Sequence, residues 1–189
     1  MIDFYRDYFE EASRTIRSLD SSAEEISSIT SQIVSRIQGG GKVFWFGNGG
    51  SASDAQHLSA ELMGRFAINR KAIPSIALNT DTSALTAIAN DFGYETIFQR
   101  QLEGLCSPND ICIGITTSGK SKNVLLGLEM GRKIGALTLA LTGEYKDELS
   151  SHCDFIIGVQ SNQTCHIQEA HITIGQAMCA EIEAAFATQ

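Results

Sequence analysis

The stretch Phe46-Gly47-Asn48-Gly49-Gly50-Ser51-Ala52-Ser53-Asp54-Ala55-Gln56-His57-Leu58-Ser59-Ala60-Glu61 reads as a buried strand that ends in a glycine turn and opens a helix. Strand–turn–helix units of this kind offer backbone N–H groups and the positive end of a helix dipole to an anion. His57 and Glu61 lie four residues apart on the expected helix, so imidazole and carboxylate share one face. The segment therefore supplies an anion cradle together with a candidate metal or acid–base pair.

Outward from this unit the pattern alternates. Val43-Phe44-Trp45-Phe46 is apolar throughout, as are Ile111-Cys112-Ile113-Gly114-Ile115, Ala136–Leu141 and Phe155–Val159, and Pro74–Asn79 reads as a further strand. Helical stretches are expected between them, over about 82–89, 96–105 and 123–133, and a long one over about 164–186. Apolar strands separated by helices predict an α/β fold, a doubly wound parallel sheet of five strands covered on both faces. Ligands in such sheets bind at the carboxyl ends of the strands. Ahead of the sheet, Tyr5, Phe9, Ala12, Ile16 and Leu19 recur at three- and four-residue steps, as do Ile26, Ile29, Ile33 and Ile37, which predicts two leading helices. Ser22-Ala23-Glu24-Glu25 between them has the form of a capping box, and Gly39-Gly40-Gly41 is expected to end the second helix. The aromatic stripe of the first helix fits packing within the domain and a subunit contact equally well. The chain is expected to be one domain over 1–189, with helices over 1–40 and the α/β part over 41–189.

Composition narrows the function. With 189 residues, 43% hydrophobic and 19% charged, the chain has enough apolar material for a sizeable core. No apolar run approaches the ~20 residues of a membrane span, and the first residues lack the basic-then-apolar pattern of a secretory signal. The net charge of −8 argues against direct binding of nucleic acid, which needs clustered Lys and Arg. A phosphate bound by so acidic a protein is expected to be held locally, by hydroxyls and backbone N–H groups. Five cysteines, an odd count without a C-x-x-C pair, predict reduced structural thiols in a cytoplasmic protein.

The second informative segment is Thr116-Thr117-Ser118-Gly119-Lys120-Ser121. It follows the third strand and precedes a helix, so it belongs at the same sheet edge as the first turn. Its four hydroxyls and glycine suit a phosphate nest, whereas an ordinary helix cap needs one hydroxyl. A dinucleotide reading of Gly47-x-Gly49-Gly50 fails on spacing and on the missing acid about twenty residues later. Asn90-Asp91 reads as a turn after a short helix. Gln168 and Gln176 lie eight residues apart on the last helix, about 12 Å along its axis. If both serve one site, neighbouring subunits are the natural source.

GNGGSASDAQHLSAEL (47–62), NTDTSALTAIANDFGY (79–94), ITTSGKSKN (115–123) and IQEAH (167–171) together resemble the sugar isomerase (SIS) domain family, within it the sedoheptulose-7-phosphate isomerases. The resemblance covers nearly the whole chain. It implies a three-layer, flavodoxin-like fold with a leading helical hairpin, and a homotetramer with sites at subunit contacts. It implies that Asn48, Gly49, Gly50, Ser51, Asn90 and Asp91 contact the substrate, a phosphorylated seven-carbon sugar, and that Thr116, Thr117, Ser118 and Ser121 hold its phosphate. His57, Glu61 and Gln168 match zinc ligands, one zinc per subunit, with Glu61 and Gln168 also matching substrate contacts and Glu61 a catalytic acid/base. The implied reaction interconverts sedoheptulose 7-phosphate and a heptose 7-phosphate, for bacterial surface polysaccharide. One position departs: where the family places a histidine that is both metal ligand and second acid/base, this chain has Gln176. An amide exchanges no proton near neutral pH and is a poorer zinc ligand than imidazole. A natural variant with altered catalysis, an engineered substitution that traps substrate, and a homologue that has left catalysis all accommodate it. The last has a parallel in a related tetramer that binds the bacterial replication initiator.

Overall fold

A computed structural model describes residues 2–144 and 149–187. Two helices lead, α1 (Ile2–Arg17) and α2 (Ala23–Gln38), joined by a 3-10 turn over Ser18–Ser22. Then follow β1 (Val43–Gly47), α3 (Gly50–Met63), β2 (Ser75–Ala77), α4 (Thr82–Phe92) and α5 (Ile97–Leu105). The chain closes with β3 (Ile111–Thr116), α6 (Lys122–Ile134), β4 (Leu137–Thr142), β5 (Phe155–Gly158) and α7 (Thr164–Phe186). All strand pairs are parallel, in the order β2-β1-β3-β4-β5. The expected five-stranded doubly wound sheet is the one found.

The strands are apolar throughout because both faces are covered. In β1, Val43 and Trp45 point into a core completed by Ile33, Leu58, Ile113, Leu139 and Ile174. Phe44 and Phe46 point the other way, into a core with Phe98, Leu102, Val124 and Leu128. This is the period-two alternation of a strand with two buried faces. Helices α2, α3 and α7 cover the first face, and α5 and α6 the second. Parallel crossovers leave β1 in one direction and β3 in the other, so the order reverses between these neighbours. Their register pairs Gly47 with Ile115, which sets Asn48 level with Thr116 at the carboxyl edge.

Three local expectations are corrected. Ser22 makes no side-chain cap bond: the 3-10 turn carries the chain into α2 with near-helical backbone, so the capping box has no helix start to close. Asn90 and Asp91 lie in the last turn of α4, which ends at Gly93 with φ +93°, rather than in a turn beyond it. The second strand is shorter than 74–79, because this edge strand pairs with β1 alone, at Ser75, Ile76 and Ala77. The five cysteines are free thiols, with Cys106 and Cys112 3.7 Å apart. Among the described residues no helix is long and apolar enough to cross a membrane.

Candidate active site

The two turns at the reversal point are stitched to each other. Gly49 takes φ +59° at the start of α3, a backbone conformation open to glycine at little cost, and Asn48 before it turns inward. The Asn48 amide pairs reciprocally with Asn123 at the start of α6, both bonds 2.8 Å long. Tyr94 Oη donates to Asn48 Oδ1 at 2.9 Å, and Asn79 Nδ2 donates to the Gly47 carbonyl at 2.9 Å. A cavity of about 340 Å³ opens here, lined by Asn48, Tyr94, Glu95, Ser121, Lys122 and Asn123. Ser51, one residue into α3, is buried.

The loop after β3 folds on its own hydroxyls. Thr116 Oγ1 donates to Ser121 Oγ at 3.0 Å, and Ser118 Oγ accepts from the Lys120 N–H at 3.2 Å. Thr116 is buried and Ser118 exposed. The Thr117 carbonyl accepts from the Gly143 N–H at 3.2 Å, which ties the loop to the end of β4. Ser121 closes the loop as the N-cap residue of α6. One strand–loop–helix unit thus gathers four hydroxyls at a helix start, the arrangement that accepts a phosphate group. Asn90 and Asp91 are exposed on α4, bonded to each other at 2.8 Å.

The remaining candidates lie along two helices that pack in the same direction. A Cβ on Gly50 would run into the Gln168 amide, and one on Gly175 into the Leu58 side chain. The start of α3 therefore meets the second turn of α7, and each helix then follows the other. His57 Nε2 and Glu61 Oε1 are 2.9 Å apart, with His57 exposed and Glu61 half-buried. Glu61 sits beside the later part of α7: burial, and then the Glu61 charge, push the Cys179 thiol up to about 12. Gln168, packed at Gly50, is eleven residues of helix away from Glu61, roughly 16 Å along the axis. Gln176 is half-buried next to Gly175. The structure thus brings His57 and Glu61 together and keeps Gln168 apart from them within one chain.

That arrangement bears on zinc. Among the described residues no three His, Cys, Asp or Glu side chains gather where an ion could sit. One chain offers an imidazole and a carboxylate, while a catalytic zinc takes three protein ligands. The His57–Glu61 pair fits part of a zinc site, and the other donors must come from outside the chain's own pair.

Several site-building residues were not singled out from sequence. Asp54 lies on the α3 stripe of Gly50, His57 and Glu61. Burial pushes it up to about 6 against the opposing effect of His57, and its Oδ2 is buried without a partner among the described residues. Its spacing of three residues before His57 and seven before Glu61 was the available signal. The end of α3 is held by Arg70, whose guanidinium donates to the Glu61 and Leu62 carbonyls at 2.9 and 2.8 Å. Arg70 in turn stands 3.2 Å from Glu183, which accepts from the Phe66, Ala67 and Ile68 N–H groups. Burial works to raise the Glu183 carboxyl, but those three N–H groups and the Arg70 charge outweigh it and hold it low. No local spacing marks this pair, since the partners lie far apart in sequence.

Known proteins share both the sequence and the fold of this chain. The SIS domain family model matches residues 7–143. A phosphoheptose isomerase of Aquifex aeolicus is 49% identical over 161 residues, covering 85% of this chain and 84% of the relative. One of Akkermansia muciniphila is 42% identical over 183 residues, covering 97% of each. Among solved structures, a phosphoheptose isomerase from Francisella tularensis superposes with a TM-score of 0.92 at 32% identity, covering 97% of this chain and 98% of the other. One from Neisseria gonorrhoeae gives 0.89 at 33%, covering 96% and 98%.

Proposed function

The chain belongs to the SIS domain family, within it to the phosphoheptose isomerases, and from that premise we propose how its own residues work. It is an aldose–ketose isomerase that converts sedoheptulose 7-phosphate to D-glycero-D-manno-heptose 7-phosphate. The non-enzymatic alternative is not favoured, since curated relatives at 42–51% identity carry the enzyme's name. The observation that supports the mechanism is that two polar turns, 48–51 and 116–121, lie at one reversal point of the sheet.

In this reading Thr116, Thr117, Ser118 and Ser121 hold the phosphate, and Asn48, Gly49, Gly50, Ser51, Asn90, Asp91 and Gln168 contact the sugar. A fixed phosphate orients the reacting carbons, where positioning has its largest effect. The reaction moves hydrogen between C1 and C2 through an enediolate. Glu61 takes a proton from C1 of the ketose and returns it to C2, while the C1 hydroxyl proton passes to the C2 oxygen, so that C1 becomes the aldehyde and the C2 carbonyl becomes a hydroxyl. Gln176 stands where the family has its second acid/base; its amide can hydrogen-bond a sugar oxygen but cannot relay its proton. Zinc, held by His57, Glu61 and Gln168 with Gln176 as a fourth donor, would supply a Lewis acid for the developing oxyanion.

The separation of Gln168 from Glu61 along α3 and α7 supports an assembled site, with donors crossing between subunits of a homotetramer. The exposed stripe of α1, with Phe4 and Phe9 65% exposed and Tyr5 55%, supports that helix as a subunit contact. A cytoplasmic place in heptose supply for lipopolysaccharide or capsule follows from the same reading.

The test is to incubate purified protein with sedoheptulose 7-phosphate, with and without zinc, beside a Gln176→His variant. Heptose 7-phosphate is expected from the unmodified chain, and more of it per second from the variant. Absence of product from both proteins would overturn the isomerase reading. Product from the variant alone would assign the defect to position 176.

A further inference from the structure

The hydrogen bonds around Asn48 leave its amide one direction to face. An amide has two N–H donors and two lone pairs on its oxygen. Both lone pairs of Asn48 Oδ1 are taken, by Asn123 Nδ2 at 2.8 Å and Tyr94 Oη at 2.9 Å. One Nδ2–H goes to Asn123 Oδ1 at 2.8 Å, and the other takes no partner among the described residues. Asn123 is itself oriented by the backbone: its Oδ1 also accepts from the Val124 N–H at 3.0 Å. Were the Asn123 amide reversed, its NH₂ group would face that N–H, donor against donor. Polarity thus passes in a fixed sense from the first turn of α6 through Asn123 to Asn48.

We infer that Asn123 and Tyr94 are positioning residues that lock Asn48 as a donor-only contact to an acceptor oxygen of the bound sugar phosphate. The inference rests on the isomerase reading and deepens it, because it states what Asn48 can recognise. An amide free to turn offers a donor or an acceptor. One held by three bonds offers only N–H, so it selects a ligand oxygen with a lone pair aimed at it. Asn123 is 3% exposed and Tyr94 60% exposed: the first is anchored in the base of the α6 start, and the second closes the contact from the rim of the cavity. The Asn48–Asn123 pair also fixes the turn after β1 against the helix that follows the phosphate loop, so the sugar contact and the phosphate anchor keep one spacing.

The test is a mutant cycle read by calorimetric binding of sedoheptulose 7-phosphate and by turnover. Asn123→Asp keeps the acceptor for Val124 and for Asn48 Nδ2 but sets a carboxylate oxygen against Asn48 Oδ1, so a bond that fixes the amide becomes a repulsion and neither orientation of Asn48 is favoured by residue 123. This variant is expected to weaken binding about tenfold, the loss of one hydrogen bond together with the fixed polarity, and to raise KM with kcat within about twofold. Tyr94→Phe, on an exposed side chain that the fold does not need, is expected to weaken binding two- to threefold with an unchanged melting temperature. In an Asn48→Ala background both substitutions are expected to have no further effect, because each acts through Asn48. Full additivity in that background would overturn the inference while leaving the isomerase reading intact. Failure of the unmodified protein to bind or turn over the sugar phosphate would overturn both.

Discussion

The loop after β3 and the pair of helices α3 and α7 build sites in opposite ways. Thr116, Thr117, Ser118 and Ser121 come from a single strand–loop–helix unit, with Thr116 bonded to Ser121 across the loop and Ser121 as the N-cap residue at the start of α6. His57, Glu61, Gln168 and Gln176 are strung along two parallel-packed helices, with Gln168 at the level of Gly50 and Glu61 three turns on. A phosphate needs several donors in one small volume, and a short loop at a helix start delivers them without help. Proton transfer and metal binding need groups of different kinds converging on two carbons, which one pair of helices does not deliver alone. One chain thus gathers the hydroxyls of the loop in one place and spreads the other four candidates along two helices.

The contrast predicts different kinetic signatures for the two regions. Glu61→Gln removes the proton carrier and keeps the shape, so kcat is expected to fall by about 10²–10⁴, with KM and melting temperature little changed. Ser121→Ala, in the anchor, is expected to act on the other parameter, raising KM about tenfold through a lost phosphate contact. Steady-state kinetics on sedoheptulose 7-phosphate separate the two, and a fall in kcat alone from Ser121→Ala would break the division.

The next effect concerns α7 itself. His171 Nε2 lies 3.0 Å from the Thr142 carbonyl, while Nδ1 is buried without a partner among the described residues. Burial lowers its pKa from 6.5 to about 4, against a small opposing contribution from Thr142. The fold therefore holds the neutral ring. Above the unfolded value of 6.5 the stabilisation is fully present. As pH falls from there towards about 4, the unfolded chain takes up a proton that the folded one refuses, and stability declines by about 3 kcal/mol. Urea unfolding at pH 7 and pH 4.5 is expected to show this decline, and a His171→Asn variant to lose most of it. An equal decline in both proteins would remove His171 as its source.

The smallest change tests the contact between the two helices. An alanine methyl at Gly50 would press on the Gln168 amide without disturbing the core, so Gly50→Ala is expected to lower kcat/KM severalfold at constant melting temperature. An unchanged kcat/KM would take Gln168 out of the reaction.

Much of this architecture was legible in the sequence because its signals are local. Val43–Phe46, Ile111–Ile115 and Leu137–Leu141 announce strands buried on two faces, and the glycine turn and hydroxyl loop announce themselves by composition. The signals that misled were also local. The Ser22 capping box was overridden by a 3-10 turn that left no helix start to cap. The end of α4 was set by Gly93 rather than by Asn90-Asp91. What escaped the sequence are the contacts between distant segments: Asn48 with Asn123, Arg70 with Glu183, Gly50 with Gln168. No periodicity encodes these pairs, because they form only when the sheet brings its crossovers side by side.

The most direct measurement is the electron density of sedoheptulose 7-phosphate in crystals of the Glu61→Gln variant, which should hold the sugar without converting it. The account predicts a phosphate among the hydroxyls of Thr116, Thr117, Ser118 and Ser121, with C1 and C2 beside residue 61 and a sugar oxygen on Asn48 Nδ2. An empty loop, with the sugar bound elsewhere, would contradict it.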